Sequence, residues 1–141
     1  MNLELISEMW TKDSVIDDIE LDKASLKIPQ LHSKYLTLLN EFKLLQKKTQ
    51  LDLRKLEHKK WLYYSGRAVP EDYEEEPFNH KVMKSDVPRW VEVDDQVSTL
   101  QMKVEYYEVL LNTISEILKQ VSQMSFNIKN TIEWRKFVSG S

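Results

Sequence analysis

At 141 residues, 16.8 kDa and a formal net charge of −3, the chain has room for one domain. Apolar residues make up 41% and charged residues 30%, enough for a thin core, while two glycines and four prolines are too few for the turns of a β-sandwich or barrel. The same shortage of glycine excludes the phosphate-cradling turns of Rossmann and P-loop sites, and the absence of cysteine excludes a disulfide framework, a thiolate zinc site and a cysteine nucleophile. The first residues are acidic and lack the basic start and apolar run of a signal peptide. No stretch approaches the roughly 18 apolar residues of a membrane span. A soluble, helix-rich intracellular protein is expected, with no membrane partner.

Leu3, Ile6, Met9 and Trp10 recur at helical spacing, which predicts a short acidic amphipathic helix over residues 1–12. Residues 1–30 carry seven acids against three bases. A heptad-like repeat follows, with Ile28, Tyr35, Phe42, Thr49, Leu56 and Tyr63 at one position. Leu31, Leu38 and Leu45 hold the other position before it turns polar at Asp52 and Lys59. This predicts a long basic helix over 29–65, starting near or bending at Pro29, which lacks an N–H, and stopped by Ser65-Gly66. Residues 66–93 hold Pro70, Pro77, Pro88 and the run Glu74-Glu75-Glu76, and read as an irregular acidic connection with at most one short element around Phe78–Met83. From Val97 to Ile132 apolar residues alternate steps of three and four, widened by Leu110, Ile117 and Met124. That predicts a long helix over 94–124, continued by a helical assembly segment over 125–141.

The expected architecture is all-α and a single domain over 1–141. It is a short N-terminal helix plus two long helices forming an elongated antiparallel coiled-coil-like hairpin. Such a shape leaves apolar area uncovered in a single chain, and large uncovered patches mark association sites. Phe126, Ile128, Ile132, Trp134 and Phe137, with Val138, are therefore candidates for oligomerisation; capping a monomeric bundle is the competing use of the same residues.

Catalysis finds no support. His32, His58 and His80 are isolated, no serine lies in a nucleophile elbow, and the acidic run at 71–76 lacks the glycine and alternating ligands of a calcium loop. No catalytic residue, cofactor or metal is assigned. The basic block is the informative feature. Residues 43–67 carry eight bases against Asp52 and Glu57. Wrapped on a helix, Lys47, Lys48, Arg54, Lys55, His58 and Lys59 fall opposite the apolar set. An ordinary solvated face mixes both signs for i,i+4 pairing, and this one is short of acids. A polyanion is the expected partner. Trp61, Tyr64 and Arg67 beside the cationic track suit single-stranded nucleic acid, whose unpaired bases stack on aromatic rings. Trp61 projects on the basic side, whereas Tyr63 reads as core. Lys60 is anomalous, because it falls on the apolar side. With no duplex-reading motif present, weak sequence preference is expected.

The stretch Lys59-Lys60-Trp61-Leu62-Tyr63-Tyr64-Ser65-Gly66-Arg67 resembles the Tyr-Tyr-Ser-Gly-Arg signature of the UvsY family of phage recombination mediators. Similar chain length, an acidic amino terminus, Val82-Met83-Lys84-Ser85-Asp86 and the run Ile128–Phe137 extend the resemblance over most of the chain. It implies a non-enzymatic protein of recombination, replication and repair in the cytoplasm of an infected bacterial cell. It also implies binding of single-stranded DNA and help for a RecA-like recombinase in replacing the single-strand-binding protein. Family members form ring-like homo-oligomers through the C-terminal segment, here a hexamer or heptamer. The family ties DNA binding to basic residues just before the tyrosine pair. Lys60 keeps such a charge, His58 stands where a family lysine aligns, and Lys59 offers a substitute. The acidic N-terminal segment is open to the recombinase or to the single-strand-binding protein. The alternative reading is a coiled-coil adaptor whose lysine face serves solubility alone; a membrane-surface helix fits less well, because the face opposite the cations is committed to packing.

Overall fold

The structure is a computed structural model and describes residues 1–140. Among the described residues it is all-α, with α1 (Leu3–Asp13), α2 (Leu21–Tyr64), α3 (Pro70–Glu75), α4 (Val87–Glu92) and α5 (Asp95–Val138). The two long helices have 44 residues each. The two glycines of the sequence account for where they stop. Gly66 and Gly140 follow α2 and α5 with φ of 78° and 76°, the left-handed conformation that closes a helix and that a Cβ disfavours.

Contacts divide the chain into two compact units, Met1–Lys43 together with the segment from Glu108 onward, and Leu44–Tyr107. In the first unit, α1 is capped by Asn2, whose Oδ1 accepts the Leu5 N–H at 2.9 Å. Ile6 is fully buried, and Trp10 meets the Tyr35 ring edge-on at 5.6 Å while its Nε1 donates to Gln120 Oε1 at 3.2 Å. Asp13 accepts from Lys34 Nζ at 2.6 Å and from the Tyr35 hydroxyl at 2.9 Å. Burial opposes its charge, but these two donors outweigh that and hold the Asp13 carboxyl below its usual range. The wide stripe on α5 thus finds both α1 and α2 as neighbours: Leu110, Ile114, Ile117, Val121 and Met124 are all buried.

α2 begins at Leu21, ahead of the expected start near Pro29. Leu21 and Ala24 pack with Ile128, flanked by Ile16 and Ile28, and this apolar contact keeps the turns before Pro29 helical despite the lost hydrogen bond. Arg135 closes the same end, its Nη1 donating to the Asp18 carbonyl at 2.6 Å.

In the second unit, Leu53, Val87, Val91, Val97 and Val104 form the core, with Leu56, Trp61, Tyr64, Val82 and Leu100 against it. Along α2 from Gln46 to Lys60 the buried or half-buried positions run Gln46, Thr49, Leu53, Leu56 and Lys60 in steps of three and four, with Glu57 half-buried beside Leu56. Thr49 tolerates burial because its hydroxyl donates to the Leu45 carbonyl at 2.8 Å. Gln46 Nε2 reaches the Val104 carbonyl at 3.4 Å, while Leu53 and Leu56 meet Val97 and Leu100, so α2 and α5 run antiparallel here. The connection holds two short helices rather than one. Phe78–Met83, expected to carry the short element, is not helical. The helices form instead where Pro70 and Pro88 occupy first-turn positions, in which a missing N–H costs nothing.

Candidate nucleic-acid interface

The end of α2 is built by the Tyr63-Tyr64-Ser65-Gly66-Arg67 stretch itself. Gly66 N–H donates to the Tyr63 carbonyl at 3.2 Å and Arg67 N–H to the Leu62 carbonyl at 2.8 Å, the paired bonds of a Schellman cap. Ser65 Oγ also donates to the Leu62 carbonyl at 3.0 Å. The cap turns the chain so that the Arg67 guanidinium lies over the Trp61 ring, 5.3 Å from its centroid.

The two tyrosines then fasten the connection. Tyr63 donates to the Glu76 carbonyl at 2.7 Å and stacks on Tyr73 at 5.2 Å, and the Tyr73 hydroxyl donates to the Tyr63 carbonyl at 2.8 Å. Phe78 is the hub of the ring cluster, within 5.5 Å of Tyr63, Tyr64, His80 and Trp90. Tyr64 donates to Asp94 Oδ2 at 2.6 Å, and Lys60 Nζ lies 3.3 Å from the same oxygen. The other oxygen of Asp94 accepts the N–H groups of Gln96 and Val97 at 2.9 and 3.1 Å, which caps α5. One carboxylate thus fixes the start of α5 and the end of α2 together. Burial works against its charge, but the Tyr64 hydroxyl, the Val97 N–H and Lys60 prevail and hold the Asp94 carboxyl below the usual carboxylate range. Burial, then the bond to Asp94, pushes the Tyr64 hydroxyl well up.

The residues singled out in the sequence therefore divide. Lys60 is only 7% exposed, and its ammonium is engaged by Asp94 and the Tyr63 ring, 5.7 Å away. Tyr64 is half-buried in the ring cluster with its hydroxyl committed. Lys47, Lys48, Arg54, Lys55, His58, Lys59 and Arg67 are exposed, and Trp61 is half-buried. Among the described residues none of Lys47, Lys48, Arg54, Lys55 and Lys59 makes an ion pair. Lys59 shares a small cavity with Asp72, Glu75 and Glu76, so acids stand near it. Arg54, His58 and Trp61 line one side of an open groove of about 620 Å³, whose opposite side is Pro88, Val91 and Val97.

At the other candidate region, Ile128 is 4% exposed and belongs to the core with Leu21 and Ala24. Phe126, Trp134 and Phe137 are 61%, 64% and 75% exposed, Ile132 is partly covered, and Val138 is exposed. Trp134 and Phe137 stack on each other at 5.8 Å.

The residue that sequence reasoning missed is Asp94. Its signal was present, because an acid just ahead of the apolar repeat that starts at Val97 is a helix-start pattern. Its pairing with Lys60 had no local signal. No cluster of His, Asp or Glu that could hold a metal ion exists among the described residues, and no helix among them is long and apolar enough to cross a membrane.

The chain is 24% identical over 140 residues to the recombination protein uvsY of Enterobacteria phage T4, covering 99% of both chains. It is also similar in fold to crystal structures of the bacteriophage T4 recombination mediator protein UvsY. One lattice type gives a TM-score of 0.83 at 23% identity over 99% of this chain and 98% of that one, and another gives 0.82 at 23% identity over 97% and 98%. A family model described as "Recombination, repair and ssDNA binding protein UvsY" matches residues 9–141, and the chain belongs to this family of phage recombination proteins.

Proposed function

We propose that this chain is a recombination mediator that binds single-stranded DNA through the outward cations of α2, without catalysing a reaction. The observation that carries this reading is the set Lys47, Lys48, Arg54, Lys55 and Lys59, exposed on one side of a helix and, among the described residues, free of ion pairs. Such an array repels itself unless an anion lies along it, and a flexible strand places a phosphate against each charge in turn. Arg67 and Trp61 extend the track, and His58 lies within it. Lys60 and Tyr64 hold the platform through Asp94 rather than touching the strand. Phe126, Ile132, Trp134 and Phe137 join copies of the chain into a ring, while Ile128 supports them from the core. The ring multiplies weak contacts into avidity, which lets it help a RecA-like recombinase take the place of single-strand-binding protein on DNA in the cytoplasm of the infected cell.

Fluorescence anisotropy of labelled oligo(dT), with anionic vesicles as control, tests the reading. Salt-sensitive binding to the oligonucleotide and none to vesicles is expected, and replacing Lys47, Lys48, Lys55 and Lys59 by alanine should abolish most of it while the melting temperature holds. Full affinity in that variant would remove α2 from the interface. An adaptor with a merely solvated lysine face would ignore the oligonucleotide even at low salt.

A further inference from the structure

The groove beside Trp61 has walls of unlike character. Arg54 and His58, from the cationic side of α2, stand at one edge, and Trp61, Val91 and Val97 supply apolar lining. Glu57, Glu92 and Glu105, from α2, α4 and α5, bring three carboxylates to the same space. Glu57 is one of only two acids in the whole basic block, and it lines this groove. None of the three makes an ion pair among the described residues.

From this geometry we infer that the groove is a base-reading slot, in which one unstacked nucleobase of the strand enters with its amino edge toward the carboxylates while its phosphate stays outside on Arg54. This rests on the strand-binding reading above. The charge pattern separates the two halves of a nucleotide. Three carboxylates reject a phosphate, whereas a neutral ring with an exocyclic amino group donates to them, the pairing by which Glu and Asp read the amino group of cytosine. The indole, already covered on one side by Arg67, adds an aromatic wall, and a volume of about 620 Å³ falls within the range of small-molecule sites and admits a base with its sugar. Thymine is the disfavoured base: it has no amino group, and its one donor, N3–H, is flanked by two carbonyl oxygens that the carboxylates repel. The protein therefore has a preference by base composition, cytosine and adenine over thymine, on top of the composition-blind phosphate contacts.

The test compares oligo(dC) with oligo(dT) of equal length at pH 7.5 and one salt concentration, for the wild-type chain and for Glu57→Gln/Glu92→Gln/Glu105→Gln. The wild type should bind oligo(dC) on the order of tenfold tighter. In the variant both affinities should rise, because three negative charges are gone, and their ratio should fall to about one, because a glutamine amide satisfies amino and carbonyl edges alike. Binding of both oligonucleotides with equal affinity by the wild type overturns the slot and leaves the phosphate track standing. A preference that survives in the variant overturns it too, as does capture of an oligo-arginine peptide that the variant loses in a wild type indifferent to base, which would make the groove a peptide site. Failure to bind either oligonucleotide removes the strand-binding reading and the slot with it.

Discussion

Two groups of aromatic residues, one around the end of α2 and one in the C-terminal part of α5, meet opposite fates. Tyr63, Tyr64, Tyr73, Phe78 and Trp90 are packed ring against ring, and the three tyrosine hydroxyls have partners inside the chain. Phe126, Trp134 and Phe137 lie in the open. Each aromatic side chain left exposed forfeits about 1.5–3 kcal/mol of burial, so a helix end carrying three of them is incomplete until something covers it. The first group is a finished scaffold beside the basic face, and the second is the uncovered patch that we propose joins subunits.

The contrast breaks most visibly at α5. Phe126→Asp/Trp134→Asp/Phe137→Asp should reduce the mass measured by sedimentation to that of one chain while far-UV circular dichroism is retained. An unchanged mass would mean that these rings do not join subunits. At the α2 scaffold the effect falls on folding instead. Asp94→Ala removes a helix cap and leaves the Lys60 ammonium buried without its partner, a change that should lower unfolding free energy in urea by about 3–5 kcal/mol. Asp94→Asn keeps the cap and should recover about 1 kcal/mol of that.

Acid acts on the same group. Asp94 and Asp13 have folded-state pKa values below their ordinary value of 3.8, so they bind protons more weakly when folded. Their stabilisation is complete above about pH 4–5 and is lost as pH falls below 3.8 through the folded values. Thermal melts from pH 5 to pH 2.5 should show that loss, and it should be smaller in Asp94→Asn. At the alkaline end, the raised pKa values of Tyr64 and Tyr35 protect the fold below pH 10, and their contribution fades as pH rises above it.

Adjacent lysines sharpen the comparison within a single turn. Lys60→Met should destabilise the fold yet leave affinity for single-stranded DNA almost unchanged, whereas Lys59→Met should weaken binding several-fold with little change in melting temperature. The reverse outcome would place the buried lysine in the interface. The smallest effect is expected at Gly66, where φ is 78° but the space a Cβ would enter is open, with no atom within 4 Å. Gly66→Ala should cost only about 1 kcal/mol of backbone strain, read from the shift of the urea midpoint.

Much of this division is written in helical period. The step of three and four from Leu53 through Leu56 to Lys60 already carries Lys60 toward the core, and the same period sends Lys47, Lys48, Lys55 and Lys59 outward. The apolar repeat after Val97 set the buried face of α5, and the end of α2 was legible from Ser65-Gly66, whereas the stop of α5 ahead of Gly140 was not read. What a helical period does not contain is the partner across space. Asp94 lies 34 residues beyond Lys60, and Ile128 more than 100 beyond Leu21. That is why the pairing of Lys60 with Asp94, and the packing of Ile128 with Leu21 and Ala24, had no signal in the sequence. The groove carboxylates escaped for the same reason, since α2, α4 and α5 each contribute one.

The central claim is that exposed, unpaired cations on α2 hold a nucleotide strand by its phosphates, and the salt dependence of oligonucleotide affinity tests it most directly. A plot of log K against log salt should fall linearly with a slope of about −0.7 for each phosphate neutralised, and the Lys47→Ala/Lys48→Ala/Lys55→Ala/Lys59→Ala variant should flatten it by up to about 2.8 per subunit. A slope identical in the two proteins, or an affinity indifferent to salt, would contradict the account.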